Sequence, residues 1–110
     1  MAEKLKESKD SIRCCYKITD TDVECLFKLL EVGKPVTSED LAEMLNVSKT
    51  TVENSLKKLI DVGLVERSKG DEKKIGRPRY YYVLVGNIYE KIRKDLSECA
   101  KRIQASSASL

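Results

Sequence analysis

Lys49, Thr50, Thr51, Asn54, Lys57 and Lys58 fall within ten consecutive residues. Side chains of these types can meet nucleic acid. Asparagine pairs with an adenine edge, threonine with bases or phosphates, and lysine with guanine or phosphate. A second group follows: Lys69, Lys73, Lys74, Arg77 and Arg79, opposed only by Asp71 and Glu72. Gly76 lets a backbone approach closely, and Pro78 stiffens the chain so that Arg77 projects at little entropic cost. Arg67 adds to this second basic group.

The charge distribution agrees. Net charge is only +3, but residues 1–47 carry seven cations against ten anions, whereas residues 48–85 carry nine against five. A locally basic segment is the footprint expected for a polyanion. The chain of 110 residues has no histidine. That removes histidine-based acid–base catalysis, the usual Ser-His and Cys-His pairs and most catalytic zinc sites. With no glycine-rich phosphate loop and no metal-spaced carboxylates, the chain reads as a non-enzyme that needs no cofactor.

The elements that position these groups follow from periodicity. Residues 3–15 are rich in helix formers, with Leu5, Ile12 and Cys15 at helical spacing. Thr19 or Thr21 is the expected N-cap of a second helix, with Asp20, Asp22 and Glu24 in its first turn and Val23, Leu26, Phe27 and Leu30 inward. Gly33 stops it. "KPVT" is short and extended. Thr37 caps a third helix, with Asp40 three residues on and Leu41, Met44 and Leu45 inward. Asn46 suits the left-handed corner of a tight turn, which Val47 plugs. Ser48 caps a fourth helix with Val52, Leu56 and Leu59 inward, so that Thr50, Asn54 and Lys57 face outward, flanked by Lys49, Thr51 and Lys58. Gly63 ends it. The period then changes: "LVERS" and "RYYYVLV" are strand-like and bracket a long basic loop. Tyr82 and Leu84 are expected toward the core, and Tyr81 and Val83 on the other face. Residues 87–106 return to helical spacing.

Helix, short strand, helix, tight turn, helix and hairpin is the order of a winged helix-turn-helix. The fold class is therefore mainly α with a small β-hairpin (α+β), carrying additional N- and C-terminal helices. The boundaries are 1–16 for the first helix, 19–85 for the core and 87–106 for the last helix, in one domain. The string "VTSEDLAEMLNVSKTTVENSLKKLIDVGLVER" followed by "GRPRYYYVL" resembles winged-helix transcriptional regulators of the MarR, TrmB and ArsR kind. The resemblance covers Thr19 to Leu84. It implies a regulator that lays helix 48–62 in the major groove of double-stranded DNA and sets the basic wing, 68–79, on the minor groove or backbone. Gly-Arg-Pro also resembles the core of minor-groove AT-hook peptides, in which an arginine lies extended in a narrow groove.

In the last helix Ile88, Ile92, Leu96, Cys99 and Ile103 form an apolar stripe. Both terminal helices are extra to the winged core, and the stripe is expected to pair with a second copy, giving a homodimer. Cys14, Cys15 and Cys99 form a thiol cluster if the terminal helices meet across that dimer, and a disulfide is the other outcome. Cys25 lies off the apolar face of its helix and is expected to be partly buried. No membrane span and no secretory signal are visible, which points to the cytoplasm. The competing readings are a winged-helix module for protein or RNA contact without an operator, and a nonspecific chromatin-type DNA binder. The effector is unknown from sequence.

Overall fold

The structure, a computed structural model, describes residues 7–69 and 80–108. Leu5 and the basic-loop residues Lys73, Lys74, Arg77 and Arg79 lie outside them. The element order is α1 (Lys9–Tyr16), α2 (Asp20–Val32), α3 (Ser38–Leu45), α4 (Lys49–Asp61), β1 (Val65–Lys69), β2 (Tyr80–Leu84) and α5 (Ile88–Ala108).

Local chemistry sets the helix boundaries. Thr19 and Thr37 each form a capping box, with Asp22 and Asp40 returning the bond to the cap backbone. Each box satisfies two amides that a helix start leaves unpaired. Three helices end in the same way. Lys17 (φ 57°), Asn46 (φ 56°) and Gly63 (φ 82°) turn left-handed. The next amide then bonds back to a carbonyl five residues earlier: Ile18 to Arg13 at 3.0 Å, Val47 to Ala42 at 3.0 Å and Leu64 to Leu59 at 2.9 Å. This is the Schellman closure. It makes the α3–α4 connection a tight corner.

The strands pair antiparallel, Val65 opposite Leu84 and Lys69 opposite Tyr80. Val36, in the α2–α3 connection, bridges to Tyr82 through reciprocal backbone bonds of 3.1 and 2.8 Å. The short extended segment read from "KPVT" thus ties the hairpin to the front of the helix-turn-helix.

The core joins Val23, Leu26 and Leu29 of α2, Leu41 and Ala42 of α3, and Val52, Leu56 and Leu59 of α4. Leu64, Val65 and Tyr82 close it on the hairpin side. Three sequence expectations shift. Met44 is 45% exposed rather than inward, because α3 buries the side that carries Ser38, Leu41 and Ala42 and Met44 lies off it. Leu29 rather than Leu30 is the deep residue of α2. Cys25 is wholly buried, because α2 is covered on two sides and its second side meets Ser55 of α4.

Ile88 and Ile92 of α5 are buried in this same core, with Ile12 of α1. Leu96 is half-buried against it. Ile103 is 57% exposed, and the helix continues two residues past the expected end. Much of the apolar stripe assigned to a second copy is therefore covered within the protomer.

Candidate nucleic-acid interface

Recognition chemistry on α4 depends on which polar groups are free. Val52, Ser55, Leu56 and Leu59 are buried, while Lys49, Thr50, Thr51, Glu53, Asn54, Lys57 and Lys58 are all exposed. The six polar candidates divide sharply. Lys49 pairs with Glu39 of α3 at 3.2 Å, the Thr51 hydroxyl meets the Ser48 hydroxyl at 2.7 Å, and Lys58 lies 3.6 Å from the Asp22 carboxylate. These three flank the face. The central three, Thr50, Asn54 and Lys57, make no side-chain hydrogen bond or ion pair with any described residue. Asn54 retains its full set of donors and acceptors.

Two buried groups that the periodicity did not single out hold α4 in this orientation. Asp22 is 2% exposed and Ser55 3%. Burial alone would raise the Asp22 carboxyl. Hydrogen bonds from the Ser55 hydroxyl and from Thr19, with the nearby Lys58 ammonium, outweigh it and hold the group below the usual aspartate value. The Thr19 amide donates to Asp22 Oδ2 at 2.9 Å. Ser55 also meets the Cys25 thiol, which burial pushes up to about 11. No buried side-chain nitrogen or oxygen among the described residues lacks a partner. A polar lock inside an apolar helix pair favours one rotation of α4 over others. Its sequence signal was a serine on the inner side of the wheel and an aspartate with two tasks.

Of the basic-loop candidates only Lys69 is described, exposed at the end of β1. Arg67 was counted in the basic group without being given a role. In the structure its guanidinium carbon lies over the Tyr80 ring, 4.5 Å from the centroid.

The terminal helices meet within one chain. Cys15 and Cys99 form a disulfide, leaving Cys14 exposed and Cys25 buried as free thiols. The three-thiol cluster of Cys14, Cys15 and Cys99 is thereby replaced by a bonded pair, since successive residues of α1 point about 100° apart and only Cys15 faces α5. Beside it the Tyr16 hydroxyl donates to Asp95 Oδ2 at 2.5 Å, and Lys91 pairs with the same oxygen at 3.1 Å. Burial first, then the bond to Asp95, pushes the Tyr16 hydroxyl well above its ordinary value.

The family model described as "Sugar-specific transcriptional regulator TrmB" matches residues 12–86. The chain belongs to the TrmB family. It is a winged-helix transcriptional regulator by that membership, and not an enzyme. Among solved structures, the ST1889 protein of the thermoacidophilic archaeon Sulfolobus tokodaii is 57% identical, with TM-score 0.85 over 94% of this chain and 98% of that one. A possible transcriptional regulator from Methanosarcina mazei Go1 is 21% identical, with TM-score 0.80 over 91% and 82%. A mutant of S. aureus MepR, solved bound to an oligodeoxyribonucleotide, is 19% identical, with TM-score 0.63 over 97% and 75%. At these identities the last two share the fold with this TrmB-family chain. Among its described residues no helix is long and apolar enough to cross a membrane.

Proposed function

We propose that this TrmB-family regulator binds double-stranded DNA sequence-specifically as a homodimer in the cytoplasm. In this reading α4 enters the major groove, and Thr50, Asn54 and Lys57 meet base edges. Lys49, Thr51 and Lys58 serve the flanking phosphates. Lys69, Lys73, Lys74, Arg77 and Arg79 of the wing act on the adjoining minor groove or backbone. One observation carries the reading: the only unpartnered polar groups among the six candidates on α4 form one outward stripe, above a helix locked from beneath. The oligonucleotide-bound MepR structure, which shares the fold, supports the same assignment.

The dimer reading rests on the distal half of α5. Lys101 to Ala108 are exposed, and Ile103 stands among them as a large apolar residue. A twofold pairing through this end would present two α4 helices to half-sites about one helical turn apart.

Selection from random duplex DNA, followed by titration of a selected and a scrambled duplex across salt, tests the function. The expected results are an enriched motif and an affinity that falls steeply with salt. Absence of binding at low salt would end this reading; binding without any enriched motif would leave a nonspecific binder. Replacing Arg77 with Ala should weaken both duplexes and lower the salt slope by about 0.9.

A further inference from the structure

An element in the major groove and another in the adjoining minor groove are separated by one sugar–phosphate strand. That strand must lie in the channel between them. The chain has such a channel, an open groove of about 580 Å3 lined by Glu53, Lys57, Ile60, Asp61, Arg67 and Tyr82. One wall is α4 and the other the hairpin. Among the described lining residues each wall brings one cation, Lys57 and Arg67, and α4 also brings two carboxylates. These described charges balance, so they do not by themselves draw a polyanion into the groove. Selectivity for a phosphate there needs directed donors.

Arg67 supplies them. Tyr82 is its register partner across the hairpin, and Tyr80 stands two residues along on the same face. Both Arg67 and Tyr80 are exposed. The guanidinium lies over the Tyr80 ring and has no carboxylate within 4.0 Å among the described residues. The guanidinium carbon lies over the ring and Arg67 makes no side-chain hydrogen bond to a described residue, so its forked donors remain for two phosphate oxygens. A cation held in this way loses less freedom on contact than a lysine at the same place.

We propose that Arg67 clamps the phosphodiester strand that runs between α4 and the wing, and that Tyr80 is the positioning residue that holds its guanidinium for this. The proposal rests on the DNA-binding reading and adds a contact to it.

The test is fluorescence anisotropy with a random-sequence duplex from 50 to 200 mM KCl. The variants are Arg67→Ala, Tyr80→Leu, the double variant, and Lys34→Ala as a one-charge control in the α2–α3 connection, with circular dichroism to check folding. Arg67→Ala should lower the salt slope by about 0.9, beyond any change in Lys34→Ala. Tyr80→Leu, which removes no charge, should weaken binding roughly two- to fivefold, the range of an exposed cation–π contact. The double variant should bind as Arg67→Ala alone. An unchanged slope in Arg67→Ala, or an equal effect of Tyr80→Leu with and without Arg67, overturns the clamp while leaving DNA binding intact. A wild-type chain that binds no duplex overturns both.

Discussion

The carboxylate of Asp22 lies 3.6 Å from the ammonium of Lys58, with the aspartate side chain 2% exposed and the lysine 52%. One group of the outward helix face is thus anchored to a buried anion on the helix beneath. Because the Asp22 carboxyl is held below its ordinary value, it adds stability above the usual aspartate value of about 3.9. That stability is lost as pH falls through the folded value. Thermal midpoints of the wild type should drop below about pH 4, and Asp22→Asn should flatten that acid limb. Asp22→Ala, which strands the Ser55 hydroxyl and the Thr19 amide, should cost about 1–3 kcal/mol at neutral pH. Equilibrium denaturation of the three proteins checks both points.

Asn54 sits at the centre of the unpartnered stripe. Asn54→Ala should relax sequence preference and cost about 1–3 kcal/mol at the selected site, with little effect on the scrambled duplex. Equal losses on both duplexes would make Asn54 a backbone contact.

Glu53 is exposed on the same helix, on the wall of the groove beside Lys57. Glu53→Gln removes a charge that repels phosphate. Binding to the scrambled duplex should tighten severalfold at low salt, and the gain should shrink as salt screens it. Weaker binding to the selected duplex alone would instead show that Glu53 accepts a bond from a base.

Asn46 turns the corner at φ 56°. Asn46→Gly should leave stability nearly unchanged. Asn46→Val should lower it by about 1–2 kcal/mol, because a β-branched side chain crowds the left-handed backbone. Chemical denaturation of the pair distinguishes a conformational requirement from a side-chain contact.

The Cys15–Cys99 bond joins residues separated by 84 positions. Reduction, or the Cys15→Ser variant, should lower stability by about 2–4 kcal/mol. Under native, non-reducing conditions a thiol reagent should modify Cys14 rapidly and Cys25 only on unfolding, since the first is exposed and the second buried. Mass spectrometry with time reads the difference.

Capping and corner chemistry were legible because they are local. Thr19, Thr37, Asn46 and Ser48 each act within four residues; the structure places the last three as read and decides for Thr19 over Thr21 as the α2 cap. The outward face of α4 was legible for the same reason, as a phase relative to Val52 and Leu56. Contacts across sequence were less so. No pattern along the chain distinguishes Leu29 from Leu30, or shows that Ser55 meets Asp22, because both depend on how α2 lies on α4. The left-handed Lys17 had no signal of its own, since lysine has no special tolerance for that backbone. The α5 stripe was read correctly as apolar, yet an apolar stripe does not reveal whether its cover is the same chain or another. Ile88 and Ile92 turn out to pack on Ile12 and the α2–α4 core.

The sulfur bridge between α1 and α5 also makes the molecule a covalent ring. Everything from α2 to β2 lies inside it, and only residues before Cys15 and after Cys99 lie outside. Tension applied to those outer residues is carried by the bridge and does not reach α4. A threading unfoldase that seized either side would have to draw two strands abreast through its pore. For this protein, then, mechanical unravelling of the segment from α2 to β2 is gated by reductant rather than by force.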